Sequence, residues 1–303
     1  MAWHRIFSTL LPCSRVYYVL LCGYAHLSAP TYHSSASRYS LYRNQKDRAC
    51  LRCKHLHRKF LCVALHTGTS DKLTCNDGTL MMAFMSDPRG IVKIGQQGLQ
   101  IESGWFSASF TANTYLRLSA EVEWLLVIRF REDAPGNFSP KVSRQSFGSI
   151  SSWGETGEGQ ALLTSVNRNA TAEAKVHAIE HFFRTLPKAS IPACGLLKEA
   201  VRSIRIRKGN ISVTEIANEL KVNSKWLERH FIIHTGMTPK SYACIQRFVH
   251  AYSELLANGE NDLTGIAVDN GYCDLNHFIK SFKRFTGKTP LQYYKQNTDT
   301  AGK

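Results

Sequence analysis

Acidic residues are scarce in this chain. Twenty-three Asp and Glu stand against 38 Lys and Arg in 303 residues, for a net charge of +15. Long apolar runs are missing too. The stretch over residues 16–27 is broken by Gly23 and His26, and at about 12 residues it falls short of the ~20 that a membrane-spanning helix needs. An even cysteine framework is also missing. The nine cysteines are odd in number, and six of them (Cys13, Cys22, Cys50, Cys53, Cys62 and Cys75) crowd into residues 1–75. This argues against a secreted disulfide scaffold and for a reducing cytoplasm. Catalytic signatures are lacking as well: the middle of the chain has no paired His ligands, no nucleophile elbow and no Gly-rich phosphate loop. Glu121 and Glu123 share one side of a strand pattern, as on an ordinary solvated face. The reading is therefore not an enzyme, with no cofactor.

The positive charge is unevenly spread, at about +9 over residues 1–75, about −1 over 76–186 and about +7 over 187–303. Three segments follow. Residues 1–70 form an atypical basic, Cys/His-rich segment with no persistent period of 2 or 3.6, read as disordered or translated from a mis-called start. Within it Cys50, Cys53, His55 and His57 make a weak zinc candidate. C-x-x-C is a real ligand spacing, but the second pair of a closed site normally lies a dozen or more residues away.

Residues 71–186 read as a β-rich unit with C-terminal helices. Apolar or alternating runs at 79–85, 91–94, 105–110, 115–118 and 124–130 are separated by turn residues around Asp87-Pro88-Arg89-Gly90, Gly95 and Glu102-Ser103-Gly104. Short strands at this spacing point to a small barrel or sandwich. Phe84, Trp105, Phe110, Trp124 and Arg129 would line any pocket in it, though each fits a core position better. Residues 139–159 read as Ser/Gly-rich loop, 161–186 as helical, and 187–192 as linker.

The last third, residues 187–303, holds two copies of one pattern. In the first, Ile216, Ala217 and Leu220 precede a break at Lys221-Val222-Asn223, and Leu227 and Phe231 follow. In the second, Ile266 and Ala267 precede Gly271-Tyr272-Cys273, and Phe278 and Phe282 follow. Two helices crossing steeply over a short turn need a small residue where they approach, which suits Ala217 and Ala267. Gly271 suits a left-handed turn position. Asn223 or Ser224, and Asp274, are placed to cap each second helix. Two helix-turn-helix units joined by a helix over about 239–257 are expected. Trp226, His277 and Phe278 read as packing residues and Cys273 as a buried thiol.

At these residues the chain resembles the AraC/XylS family of bacterial transcription regulators over about 191–295. The first copy is similar to A-x-x-L-x-x-S-x-x-x-L-x-R-x-F through Ala217, Leu220, Asn223, Leu227, Arg229 and Phe231. Thr235-Gly236-Met237-Thr238-Pro239 resembles T-G-x-[ST]-P. Tyr242, Arg247, Phe248, Ala251 and Leu255 follow the linker-helix pattern. The second copy is similar through Ile266, Ala267, Gly271, Tyr272, Asp274, His277, Phe278, Lys280, Phe282 and Lys283. Thr286-Gly287-Lys288-Thr289-Pro290 and Tyr293 close it. Asn223 and Cys273 stand where the family has Ser, and Tyr272 where it has Phe. Asn76-Asp77-Gly78, Ile128-Arg129-Phe130 and Trp153-Gly154 resemble the sensor domain of some members.

The resemblance implies an α+β multidomain chain. A small β-rich sensor or dimerisation domain precedes an all-α domain whose two recognition helices enter successive major grooves of double-stranded DNA. Lys225, Glu228 and Arg229 would read one half-site, and Leu275, Asn276 and Lys280 the other, with Lys283 and Arg284 beside them. It further implies a cytoplasmic regulator with RNA polymerase, an unidentified small-molecule effector and a second copy of the chain as partners, and no membrane. The alternatives are a DNA- or RNA-binding module without a regulatory ligand, and a small β-barrel enzyme fused to a DNA-binding domain.

Overall fold

A computed structural model describes residues 157–185 and 195–299, together with the strands and a few adjoining residues between 41 and 152. Ten strands precede nine helices among the described residues. One antiparallel sheet has six strands. In spatial order these are β1 (Leu41–Arg43), β2 (His57–Ala64), β9 (Trp124–Phe130), β4 (Met81–Met85), β7 (Gly104–Ser107) and β10 (Ile150–Ser152). The other sheet has four: β3 (Lys72–Leu73), β8 (Thr114–Arg117), β5 (Gly90–Ile94) and β6 (Gln97–Ile101). Strands β1 and β2 lie within residues 1–70, and β2 pairs along its length with β9. Cys50, Cys53, His55 and the His57 side chain lie outside what is described, as do the 187–192 linker, Phe110 and Trp153-Gly154.

The central strands read as continuous apolar runs because both of their faces are covered. Every residue of β4 is buried, as are Leu125–Ile128 of β9. Helix α1 (Gly157–Arg168) lies against this sheet. A Cβ placed on Gly104 would fall 2.4 Å from Leu163 Cδ2 and 3.2 Å from Phe84 Cδ1, so β7 needs a bare backbone there. Phe84 and Trp105 are core residues, at 0% and 1% exposure. The helical span expected over 161–186 is two helices. It breaks at Asn169–Thr171, and the Thr171 hydroxyl accepts the Ala174 N–H at 3.2 Å to open α2 (Ala172–Thr185). Buried Lys175 closes the end of α1, donating to the carbonyls of Val166 (3.1 Å) and Asn169 while its ammonium sits 4.1 Å from the Trp124 ring centre. A cation is favoured where helix carbonyls lack partners.

Seven further helices follow among the described residues: α3 (Gly195–Ile206), α4 (Val213–Glu219), α5 (Ser224–Thr235), α6 (Pro239–Asn258), α7 (Leu263–Asp269), α8 (Leu275–Thr286) and α9 (Pro290–Asp299). They build two cores that share α6. Leu197, Ile204, Ile216, Leu227, Phe231 and Tyr242 fill the first. Phe248, Tyr252, Ile266, Phe278, Phe282 and Tyr293 are central to the second. At 20 residues α6 is about 30 Å long. No helix among the described residues is long and apolar enough to cross a membrane.

Among the described residues, the β-rich part touches the helical part around Asn113 and Tyr115 and again at Gly78. The Asn113 N–H donates to the Phe285 carbonyl (2.7 Å), and the Tyr115 hydroxyl donates to that of Thr286 (2.6 Å). Gly78 faces Tyr242 and Met237 closely enough that a Cβ would lie 3.0 Å and 3.4 Å from them.

Candidate nucleic-acid interface

Each helix-turn-helix unit begins on a capped helix. Ser212 and Glu215 form a reciprocal capping box on α4, with the Glu215 N–H donating to Ser212 Oγ (3.1 Å) and the Ser212 N–H donating to Glu215 Oε2 (2.7 Å). Hydrogen bonding to the Ser212 hydroxyl and to the Ser212 backbone N–H holds the Glu215 carboxyl below its ordinary range. The S-x-x-E spacing was legible in the sequence but not singled out there. In the second unit Asp262 Oδ1 accepts the Gly265 N–H (2.7 Å).

The turns match bond for bond. Leu220 and Asn270 each donate to the isoleucine four residues back, at 3.0 Å and 3.3 Å. Val222 and Tyr272 donate to Ala217 and Ala267, both at 2.9 Å. The left-handed position is Gly271 in the second unit (φ 73°) and Lys221 in the first (φ 54°). Both alanines are buried. Asn223 and Asp274 then cap α5 and α8, each accepting a backbone N–H at 2.7 Å, from Trp226 and His277. Asn223, rather than Ser224, is the cap. Both helices end on a left-handed glycine, Gly236 and Gly287 (φ 76° in each). In both, the preceding threonine hydroxyl donates back to a phenylalanine carbonyl.

With one face of α5 and α8 committed to the cores, the other is largely polar, interrupted on α5 by Ile232 at 46% exposure. Lys225, Glu228 and Arg229 are exposed on α5 at a spacing that keeps them on one side. On α8, Asn276, Lys280, Lys283 and Arg284 are exposed, and the Arg284 guanidinium lies 5.6 Å from the Phe285 ring centre. Leu275 is half-buried and packs against the second core. Trp226 packs as expected, stacked on His230 at 3.9 Å, and Phe278 is fully buried. His277 differs from expectation in part: it meets Tyr272 edge-on at 5.2 Å, yet it is exposed. Cys273 is likewise exposed rather than a buried thiol: it lies in the turn just before the Asp274 cap, outside both helices.

Sequence reasoning passed over the turn at Lys208-Gly209-Asn210. Lys208 and Gly209 both have left-handed backbones (φ 52° and 78°), and Gly209 is buried. A Cβ on Gly209 would fall 2.0 Å from the Ala243 carbonyl oxygen and 2.8 Å from the Arg247 nitrogen, so the turn lies backbone-on-backbone against α6. Arg247 Nη2 donates to the Gly209 carbonyl at 3.0 Å. Burial, with Lys208 nearby, holds the His250 imidazole on the same helix below its ordinary value. Gly209→Ala is expected to destabilise the chain by about 1–3 kcal/mol through forced overpacking, beyond the cost of the left-handed backbone. Urea unfolding measures this, and a loss near zero would mean the turn lifts off α6 freely.

In the second unit, burial pushes the Tyr272 phenol up to about 12. Its hydroxyl lies 3.4 Å from Ser281 Oγ on α8, and its ring centre is 5.7 Å from the Arg247 guanidinium carbon.

Residues 216–296 match the profile of a helix-turn-helix domain family. The chain is 35% identical over 82 residues to the HTH-type transcriptional activator RhaS of Escherichia fergusonii, a stretch covering 27% of this chain and 29% of RhaS. It is 36% identical over 88 residues to the uncharacterized HTH-type transcriptional regulator YidL of Escherichia coli, covering 29% of each. The chain thus spans less than a third of the length of these curated relatives. Among solved structures it is similar to ToxT from Vibrio cholerae (TM-score 0.46, 14% identity, 78% of this chain and 98% of that one). It is also similar to the DNA-binding domain of AdpA, solved in complex with a target DNA (TM-score 0.32, 20% identity, 35% and 96%).

Proposed function

We propose, on the premise that residues 216–296 form an AraC/XylS-type helix-turn-helix domain, that the whole chain is a sequence-specific DNA-binding transcription regulator. One observation carries the reading. Two units with the same turn and cap hydrogen bonds share one 20-residue helix, and each turns a polar stripe away from its core. Recognition helices on one face of a duplex must repeat at about 34 Å, one turn of DNA, and an α6 of about 30 Å is close to that span.

In this reading Lys225, Glu228 and Arg229 enter one major groove, and Asn276 and Lys280 the next. Lys283 and Arg284 neutralise phosphate beside them. Arg bonds guanine bidentately and Asn pairs with adenine, whereas Lys at the rim positions without specifying. Leu275 contributes apolar contact at the base of α8, which suits a thymine methyl. The β-rich part is the sensor or dimerisation domain, with RNA polymerase, a small-molecule effector and a second copy of the chain as the remaining partners. The reading gives the chain no catalytic step and places it in the cytoplasm.

Selection of binding sites from a random duplex pool with the full chain tests it. Two half-sites about 10 base pairs apart are expected, with affinity falling steeply as salt rises because phosphate contacts release counterions. A pool that stays unenriched, or binding indifferent to salt, would overturn it.

A further inference from the structure

The two units are joined by more than the helix between them. The Lys208-Gly209-Asn210 turn opens the first unit: Ile211, next in sequence, is in the first core, and Ser212 caps α4. That same turn lies against the second unit. A Cβ on Gly271 would sit 2.6 Å from Asn210 Cγ, which places the Asn210 side chain directly on the second unit's turn. Arg247, near the middle of α6, bridges the two. Its Nη2 holds the Gly209 carbonyl at 3.0 Å, and its guanidinium lies 5.7 Å from the centre of the Tyr272 ring. The Tyr272 hydroxyl in turn lies 3.4 Å from Ser281 on the second recognition helix.

A lone helix of this length is free to curve gently. On DNA that freedom has a defined consequence. Adding or removing one base pair between half-sites shifts one of them by about 3.4 Å and rotates it by about 34°, from ~10.5 base pairs per turn. A reader hinged only on α6 could follow such a change by bending, whereas a reader braced at a second point could not.

We propose that Arg247, with the Lys208-Gly209-Asn210 turn, is a spacing gauge. It sets the register between the two recognition helices and so fixes which half-site separation the protein accepts. Arg247 is a positioning residue: it acts through the turn and Tyr272. The proposal rests on the reading of the chain as a bipartite DNA reader.

The test measures binding of the full chain to four duplexes: the selected operator, the operator with one base pair inserted between half-sites, the operator with one removed, and the operator with one half-site scrambled. The wild type is expected to disfavour both spacing variants at least tenfold. In Arg247→Met, which keeps the aliphatic packing and removes the hydrogen bond and the cation–π contact, that penalty is expected to shrink at least threefold. The penalty for the scrambled half-site should stay within twofold of wild type. Asn210→Ala should move the spacing penalty in the same direction by less. A purely structural role would lower affinity for all four duplexes by one common factor, and that result overturns the proposal. If Arg247→Met fails to fold, Arg247→Lys and Asn210→Ala decide: unchanged spacing penalties in both overturn it. If the wild type selects no bipartite operator, the functional reading fails first and takes the gauge with it, whereas a bipartite operator with unaltered spacing penalties in the variants sinks the gauge alone.

Discussion

Arg229→Ala is expected to weaken binding to the selected operator by about 5- to 150-fold, the equivalent of the ~1–3 kcal/mol that one bidentate arginine–guanine pair contributes to discrimination. Affinity for unrelated duplex should change by no more than about twofold, since a single phosphate contact is one among many. Arg229 is exposed on the same side of α5 as Lys225 and Glu228, and among the described residues no hydrogen bond or ion pair engages its side chain. Truncation therefore removes little from the fold, and an unchanged circular dichroism spectrum and melting temperature should accompany the loss. Titration against operator and competitor at one fixed salt concentration separates the terms. Equal losses on both would reduce Arg229 to a phosphate contact and move the specificity of this unit onto Lys225 and Glu228.

The largest effect on stability is expected at Phe282. Its ring meets Phe248 at 5.6 Å, Phe278 at 5.7 Å, Tyr293 at 5.7 Å and Tyr252 at 6.1 Å, and it has no exposure. Phe282→Ala should cost about 3–5 kcal/mol, because the surrounding rings belong to α6, α8 and α9 and cannot all collapse into one gap. Phe282→Leu should cost less than the alanine variant, because leucine refills part of the void. Chemical denaturation monitored by tyrosine fluorescence and by circular dichroism measures both. A loss under 1 kcal/mol for the alanine variant would mean that the second core is fluid enough to close over the void.

Much of the helical region was legible beforehand because its signals are local. Ala217 and Ala267, the caps Asn223 and Asp274 and the apolar pair closing each unit lie within one or two helical turns of what they act on. Strand β9 was readable to the residue because a covered strand is an uninterrupted apolar run. Strand β6 was missed, since Gln97, Gly98 and Gln100 leave only Leu99 and Ile101 as apolar signal. Strand β10 was missed because Ile150-Ser151-Ser152 is an edge strand inside a Ser/Gly-rich stretch, where pairing with β7 supplies what propensity does not. The residues proposed to read DNA could be named from the pattern, and all are exposed except half-buried Leu275. What joins the units was hidden. Arg247 reaches Gly209 across 38 residues of sequence, and Tyr115 reaches Thr286 across 171. No window of periodicity spans such distances.

The second of those long contacts makes the duplication unequal. Gly236 and Gly287 do the same work at the ends of α5 and α8, each with φ 76° and each closing the last turn through its own N–H. Gly287 also lies under Asn113: a Cβ there would fall 2.4 Å from Asn113 Oδ1, while Asn113 and Tyr115 claim the carbonyls of Phe285 and Thr286. A mutation at this corner is therefore judged by two structures at once, the helix it ends and the sheet that rests on it. Residues 113, 115 and 287 can drift only in company.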